Sequence, residues 1–97
     1  MTLSEPSLLV LASLVAGPKH GYAIIADIAE HTGKRLGPGT LYGIIARLEE
    51  VDYIRPLERE DRGRRPYRIT AAGRRVYQER LAYLRTYERT LKALAAP

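Results

Sequence analysis

The sequence of 97 residues contains no cysteine, no tryptophan and no phenylalanine, and it has only two histidines. Without cysteine the chain forms neither a disulfide framework nor a thiolate metal site. The two histidines, His20 and His31, are too few to hold zinc by themselves. We instead expect His20 to cap a helix or to meet a phosphate. These absences exclude a disulfide-rich or zinc-ribbon protein, and we expect no bound metal.

Long apolar segments are missing as well. The longest run, residues 8–14, is interrupted by Ser13 and is far shorter than the ~20 residues of a membrane-spanning helix. The residues before it include Glu5 but no lysine or arginine, whereas a secretory signal starts with a basic segment. We therefore expect a cytoplasmic domain that makes no contact with a membrane.

Residue patterns that support catalysis are also missing. The chain shows no Ser/His/Asp arrangement and no evident pair of catalytic carboxylates. The segment Gly37-Pro38-Gly39 lacks the Lys-Ser/Thr ending of a nucleotide-binding loop. The sequence therefore predicts a protein that is not an enzyme and that needs no cofactor.

Arginine, by contrast, is abundant. The chain has 16 lysines and arginines against 11 acidic residues, a formal net charge of +5, and 13 of the 16 are arginine. The charge is uneven: residues 1–54 have a net charge of −2, residues 55–80 of +5 and the remainder of +2. Because guanidinium groups bind phosphate and guanine well, this distribution predicts a polyanionic partner for the segment 55–80.

The hydrophobic periodicity predicts three short helices in the first half of the chain. Ser4 and Pro6 open the first helix, and Gly17-Pro18 ends it. The second is predicted over residues 21–31, with Tyr22 in the core, and the third over residues 38–51. The inward face of the third helix is apolar, and its outward face carries small residues flanked by polar ones: Gly39, Thr40, Tyr42, Gly43, Ala46, Arg47 and Glu50. Glycine is unfavourable inside a helix, so a face that is merely solvated would carry better helix formers. Small residues at these positions instead permit a partner to approach the helix closely.

After residue 52 the pattern becomes extended. Two short strands are predicted over residues 53–57 and 66–69, joined by the polar loop 58–65. Pro56 and Pro66 favour a small ribbon with free edges over a central sheet. Thr70 then caps a long helix over residues 71–95. The expected fold is therefore mainly α with a small two-stranded β-wing: a winged helix-turn-helix (residues 1–70) followed by a C-terminal dimerisation helix (residues 71–97).

Four blocks of sequence also resemble a known family. The segments His20-Gly21-Tyr22-Ala23-Ile24, Gly37-Pro38-Gly39-Thr40-Leu41-Tyr42, Arg47-Leu48-Glu49 and the stretch 64–74 are similar to the PadR-like transcriptional regulators, in particular to the short branch with one C-terminal helix. The resemblance implies a dimeric repressor whose third helix enters the major groove of a pseudo-palindromic operator. Gly43, where the family often has proline, and the acidic loop residues Glu58, Glu60 and Asp61 depart from the pattern.

The predicted DNA-binding residues lie in the linker before the third helix, on its outward face and in the wing: Lys34, Arg35, Gly39, Thr40, Tyr42, Gly43, Arg47, Arg62, Arg64 and Arg65. Several of these positions keep a structural alternative. For Thr40 it is a role in starting the third helix, and for Arg62, Arg64 and Arg65 it is a solvated loop. Tyr42 either faces DNA or packs on the first helix, and Arg47 either reaches a phosphate or guanine or forms an ion pair with Glu50 or Asp52. Arg74 and Arg75 are expected at the surface or at a dimer edge.

The last helix predicts a homodimer. Its 25 residues span about 37 Å, more than a small three-helix core covers, so its apolar stripe needs a partner helix. The predicted dimerisation residues are Tyr77, Leu81, Leu84, Tyr87, Leu91 and Leu94. The alternative is that the helix folds back onto its own domain.

Two functional alternatives stay open. One is a winged-helix module for protein interaction or small-molecule sensing in which DNA binding is secondary or lost, favoured by Gly43 and by the acidic wing tip. The other is control of the protein by a small aromatic effector. The resemblance implies that some short members hold flat aromatic compounds between their C-terminal helices through tryptophan. With no tryptophan here, such a site depends on tyrosines such as Tyr83 and Tyr87.

Overall fold

The computed structural model describes residues 3–97, apart from the side chain of Asp61. In chain order the elements are α1 (Glu5–Val15), β1 (Lys19–His20), α2 (Gly21–Thr32), α3 (Pro38–Glu50), β2 (Ile54–Pro56), a short 3-10 turn (Asp61–Gly63), β3 (Pro66–Ile69) and α4 (Ala71–Ala95). The fold is mainly helical with a small sheet and a long C-terminal helix. The predicted winged-helix fold class is therefore confirmed.

The helix boundaries follow from local capping chemistry. At the start of α1, the backbone N–H of Ser7 donates to Ser4 Oγ at 3.2 Å, and Pro6 lies in the first turn, where its missing N–H is not needed. Helix α2 ends at Gly33, whose φ of 76° is readily adopted by glycine. At the start of α4, the backbone N–H of Gly73 donates to Thr70 Oγ1 at 3.0 Å. These signals placed the predicted boundaries within one or two residues of the observed ones.

The sheet has three strands, whereas the sequence predicted two. The strand order is β1-β3-β2 with both pairs antiparallel, and β1 pairs Lys19 with Tyr67 and His20 with Pro66. The expectation that both prolines lie at free edges is therefore wrong for Pro66, which lies in the central strand. It is accommodated because it is the first residue of β3. Pro56 lies in the edge strand β2, as predicted.

The hydrophobic core lies between the three short helices and one face of the sheet. Its fully buried members are aliphatic, and the sheet closes it with Ile54, Ile69 and the ring of Tyr67. The predicted inward face of α3 is confirmed, because its buried residues are Leu41, Ile44, Ile45 and Leu48. Burial of this face leaves the opposite side of α3 turned away from the core.

Tyr22 is not a core residue, contrary to the prediction. Its side chain is 63% exposed, and the buried residues of α2 are instead Gly21, Ile24, Ile25 and Ile28. Tyr22 follows Gly21 by one residue, which is about 100° around the helix. The hydrophobic periodicity points to the wrong residue here, because glycine has no side chain by which its burial could be recognised.

The long helix α4 packs against α1 and then extends beyond the rest of the fold, so that the molecule is 59 Å long but only 28 and 21 Å across. Its side chains become exposed from Ala82 onward. Within residues 3–97, no helix combines the length and the apolar character needed to cross a membrane.

Candidate nucleic-acid interface

The outward face of α3 is open and built from small residues. Gly39, Thr40, Ala46 and Arg47 are exposed, and Gly43 is partly exposed. A Cβ atom placed on Gly39 would meet nothing within 4 Å, and one on Gly43 would meet only Arg47 Nη1 at 3.8 Å. The face therefore offers room for another molecule to approach the helix backbone.

Tyr42 lies between α3 and the start of α2. Its side chain is 44% exposed, and a Cβ on Gly21 would lie 2.5 Å from its Oη atom. Its ring therefore covers the first residue of α2, while part of it stays accessible. Tyr42 therefore packs on α2 rather than on α1, and its contact with DNA stays a prediction.

The wing loop, residues 58–65, is closed by hydrogen bonds within it. The backbone N–H of Glu60 donates to the carbonyl of Arg64 at 2.7 Å, and that of Gly63 donates back to Glu60 at 3.1 Å. Arg62 and Gly63 have φ angles of 70° and 72°, and this left-handed backbone makes the sharp turn. Arg59 Nη1 bonds the carbonyl of Gly63 at 2.8 Å. These bonds present Arg62 and Arg64 as exposed side chains.

The wing and α3 meet at a cleft of about 330 Å³. Arg62, Arg64 and Arg65 line it together with Tyr42, so the structure brings these four predicted site residues together. Arg65 is half-buried and donates from Nη1 to the carbonyl of Leu57 at 2.8 Å, which ties it to the base of the wing. Predicted residues Lys34 and Arg35 are exposed in the α2–α3 linker and do not line this cleft.

Two further basic side chains, those of His20 and Arg59, line the cleft. Arg59 was not predicted as a site residue, whereas His20 was expected to cap a helix or to meet a phosphate. Arg59 lies in the arginine-rich segment and could have been found from its charge alone. His20 reaches the cleft because β1 pairs with β3, which no local sequence signal indicated. His20 occupies the N-cap position of α2, as predicted, but its side chain makes no capping hydrogen bond.

The cleft is strongly basic. The ion pairs among the described side chains are Lys19–Asp27, His31–Asp27, Arg55–Asp52 and Lys92–Glu88, and none involves a wing arginine. At the floor of the cleft, burial raises the pKa of the Tyr67 hydroxyl, and the charge of Glu49 raises it further. Because the wing arginines form none of these ion pairs, their positive charge is available to bind an anion.

The surroundings of Arg47 and Arg74 differ. Among the described ion pairs, Arg47 has no acidic partner, and Asp52, one of its predicted partners, is bound by Arg55 at 2.8 Å. The hydrogen bond from Arg55 lowers the pKa of the Asp52 carboxyl. Arg74 lies at the surface and bonds the carbonyl of Val15 at 3.4 Å, which agrees with the expected surface position.

A separate polar cluster joins α1, β1 and α2. The Asp27 carboxylate accepts hydrogen bonds from Lys19 Nζ at 2.8 Å and from Ser13 Oγ at 2.7 Å, and the first of these is the main reason that its pKa is lowered. Asp27, Glu30 and His31 have ligand-type atoms within 4.8 Å of one another. Because Asp27 already has two donors, the cluster is explained by its role in joining the three elements.

The model of the transcriptional regulator PadR-like family matches residues 10–79 of the chain. The chain belongs to this family. The matched segment contains α2, α3 and the wing entirely, so the candidate interface of this PadR-like regulator lies within the family's common region. The family is one of transcriptional regulators, and this is the functional class that the match establishes.

Comparisons with solved structures agree with this assignment. A PadR family transcriptional regulator from Eggerthella lenta is 31% identical, with a TM-score of 0.79 over 95% of this chain and 83% of its own. A transcriptional regulator from Clostridium thermocellum is 25% identical, with a TM-score of 0.80 over 98% and 100% of the two chains. A PadR-like transcription factor from Bacteroides fragilis, at 22% identity and a TM-score of 0.84 over 93% and 89%, supports the fold alone.

A curated relative is more similar in sequence. The chain is 49% identical over 78 residues, or 80% of its length, to an uncharacterized 37.1 kDa protein in transposon TN4556 of Streptomyces fradiae. The match spans only 22% of that protein. The PadR-like region therefore occurs there within a much longer chain.

The predicted dimerisation residues of this PadR-like regulator follow one another along α4. Tyr77 and Leu81 are half-buried, and Tyr77 packs against the core of its own chain. Leu84, Tyr87, Leu91 and Leu94 are exposed, from 43% at Leu84 to 79% at Leu94. The distal half of α4 thus presents an apolar stripe that its own domain does not cover.

Proposed function

We propose that this PadR-like regulator is a dimeric, sequence-specific DNA-binding protein that acts as a repressor. In this proposal α3 enters the major groove and residues 58–65 of the wing lie on the phosphate backbone. The observation that carries it is that Tyr42 of α3 and the wing arginines line one basic cleft, beside the small-residue face of α3. A duplex seated on this side of the molecule meets both elements at once. The repressor role rests on the family resemblance.

The division of labour between the two elements follows from their chemistry. The wing contributes guanidinium groups, which bind phosphates of any sequence and supply much of the affinity. Helix α3 has an open face with Thr40 and Arg47 at its sides, where they can reach base edges in a groove about 12 Å wide. Specificity is therefore assigned to α3 and affinity mainly to the wing.

DNase I footprinting on the region upstream of the gene tests this function and identifies the operator. We expect protection of a pseudo-palindromic site and a steep fall of log affinity with log salt concentration, with a slope of about −0.9 for each neutralised phosphate. Arg62→Ala is expected to weaken binding to all sequences equally, and Arg47→Ala to relax the choice of sequence. Arg89→Ala, an exposed arginine on distal α4, is the matched control. Binding without salt dependence would contradict the proposal.

A homodimer is the second part of the proposal. In a single chain the distal half of α4 would leave its apolar stripe in water, and a second copy of the helix covers it. Two copies also place two α3 helices on one duplex, which reads two half-sites. This arrangement accounts for the pseudo-palindromic operator that we expect.

Light scattering coupled to size exclusion measures the assembly directly. We expect a mass of twice the 10.9 kDa of the chain. Leu84→Glu combined with Leu91→Glu is expected to give monomers, because both charges fall on the apolar stripe. Ala82→Glu combined with Thr86→Glu adds the same two charges on the opposite face and is expected to leave the dimer intact. A monomeric wild-type chain at micromolar concentration would contradict the dimer.

A flat aromatic effector is a further candidate, favoured by one observation. Tyr83 and Tyr87 stack on the exposed side of α4, with ring centroids 5.7 Å apart and an interplanar angle of 9°. Aromatic faces of this kind attract flat cations. Calorimetry with a panel of planar aromatic cations tests the site. Heat of binding that is lost in Tyr83→Ala, a position outside the predicted dimerisation residues, supports it, and flat titrations for the whole panel exclude it.

A further inference from the structure

His20 and Arg64, which both line the cleft, form an unusual contact. Arg64 Nη1 lies 3.4 Å from His20 Nε2, and the other ring nitrogen, Nδ1, is buried without a hydrogen-bond partner among the described residues. A guanidinium group only donates hydrogen bonds, and a neutral imidazole donates from one nitrogen and accepts at the other. The contact can therefore be examined for each placement of the imidazole proton.

Each placement leaves a donor without an acceptor. If Nε2 accepts from Arg64, the proton is on Nδ1, and a buried N–H has no partner. If the proton is on Nε2, two N–H donors face each other. A doubly protonated ring has both defects. The pair is thus one hydrogen-bond acceptor short, and an anion oxygen that bridges Nε2 and Arg64 Nη1 from the open side of the cleft would accept from both groups.

The surroundings of this pair favour an anion. His20 is the N-cap of the 12-residue helix α2, which has neither a side-chain capping bond nor an acidic residue in its first turn. The partial positive charge of the helix N-terminus is therefore uncompensated there. Arg59, Arg62 and Arg65 line the same cleft as the His20–Arg64 pair. Arg59 and Arg65 each give one N–H to a neutral carbonyl, which leaves their charge unbalanced.

We propose that this cleft is a binding site for a single phosphate group, held between His20 Nε2–H and the Arg64 guanidinium. The phosphate is a backbone phosphodiester of the operator, at the point where the DNA strand passes from α3 to the wing. The assignment of the phosphate to DNA rests on the proposed DNA-binding function. The site itself rests on the His20–Arg64 geometry and on the basic cleft. Arg59 supports it by holding the wing turn through Gly63.

Inorganic phosphate tests the site without DNA. A titration at constant ionic strength is followed by the amide signals of the full chain, with chloride as the reference anion. We expect saturable shifts at Gly21, Gly63 and Arg64. His20→Ala and Arg64→Gln are each expected to weaken phosphate binding about 10-fold, because hydrogen bonds to charged groups are the stronger ones. His20→Gln, which keeps an N–H donor, is expected to restore most of it.

Arg68→Gln is the matched control. It removes the same charge from a residue of β3 four positions along the chain, but Arg68 is exposed beside Asp52 and Arg55 and does not line the cleft. We expect its phosphate affinity to stay within about 2-fold of the wild type, since long-range attraction between exposed charges is screened by salt. An equal loss in Arg68→Gln and Arg64→Gln would overturn the site, because the effect would then be one of net charge.

Operator duplexes with single neutral methylphosphonate linkages test the DNA assignment. We expect one linkage per half-site that weakens wild-type binding about 10-fold but leaves the already weakened Arg64→Gln variant unchanged, because both changes remove the same contact. Specific operator binding with no linkage coupled to Arg64 overturns the assignment to DNA. Phosphate binding without any operator binding supports the site and contradicts the proposed function. Adenosine monophosphate that binds at least 10-fold more tightly than inorganic phosphate and displaces DNA assigns the site to a free phosphate ester instead.

Discussion

Gly43→Ala separates the stability of the fold from its interaction with DNA. Gly43 lies in the interior of α3 on the outward face, and a Cβ there would meet only the flexible end of Arg47 at 3.8 Å. Glycine in a helix interior is less favourable than alanine by about 0.8–1 kcal/mol. With no steric penalty to offset this gain, we expect the free energy of unfolding to rise by about that amount. For a domain of this size the increase corresponds to about 4–8 °C in Tm.

The same methyl group is expected to weaken DNA binding. In the proposed complex the small face of α3 lies against the major groove, and an added methyl group in a packed contact costs about 1–3 kcal/mol. This corresponds to a loss of about 10-fold or more in affinity. Stability and affinity are thus predicted to change in opposite directions, which a general defect in folding cannot produce.

Thermal unfolding at one fixed protein concentration gives the stability, and fluorescence anisotropy with labelled operator gives the affinity. The concentration is held constant because association of the chains raises the apparent Tm. A variant that is more stable and binds the operator as tightly as the wild type would refute the placement of this face against DNA. A less stable variant would refute the statement that the face is open.

Two further predictions concern the fold. Gly73→Ala, the same substitution in α4, is expected to lower the free energy of unfolding by about 1–3 kcal/mol in urea titrations, because its Cβ would clash with the backbone carbonyl of Tyr53; unchanged stability would contradict this packing. Asp27→Asn is expected to destabilise the fold at neutral pH but not in acid. Hydrogen bonds from Lys19 and Ser13 hold the pKa of the Asp27 carboxyl below its ordinary value, so its contribution is fully present above the unfolded-state pKa of about 4 and is lost as the pH falls through the lower folded-state pKa. Urea titrations from pH 2 to 7 measure this difference, and a constant difference would contradict it.

The parts of the fold that could be predicted are those encoded by neighbouring residues. Ser4, Gly33 and Thr70 act within three or four residues of themselves, through a capping bond or a left-handed φ angle, so the helix boundaries could be read locally. The inward face of α3 was also predictable, since four aliphatic residues repeat at helical spacing. The burial of Gly21 in place of Tyr22 could not be predicted from neighbouring residues. Gly21 is covered by Tyr42, which belongs to another helix.

Strand β1 could not be predicted, because its two residues owe their conformation to a partner far along the chain. Lys19 and His20 have no alternation of their own, and they are extended only because β3 bonds them 46 to 48 residues later. That pairing places His20 beside Arg64. The charge distribution located the arginines, but the group that they face depends on this non-local pairing. A sequence can therefore predict that a wing binds phosphate, whereas the atoms that hold one particular phosphate are set by a strand that only the folded sheet defines.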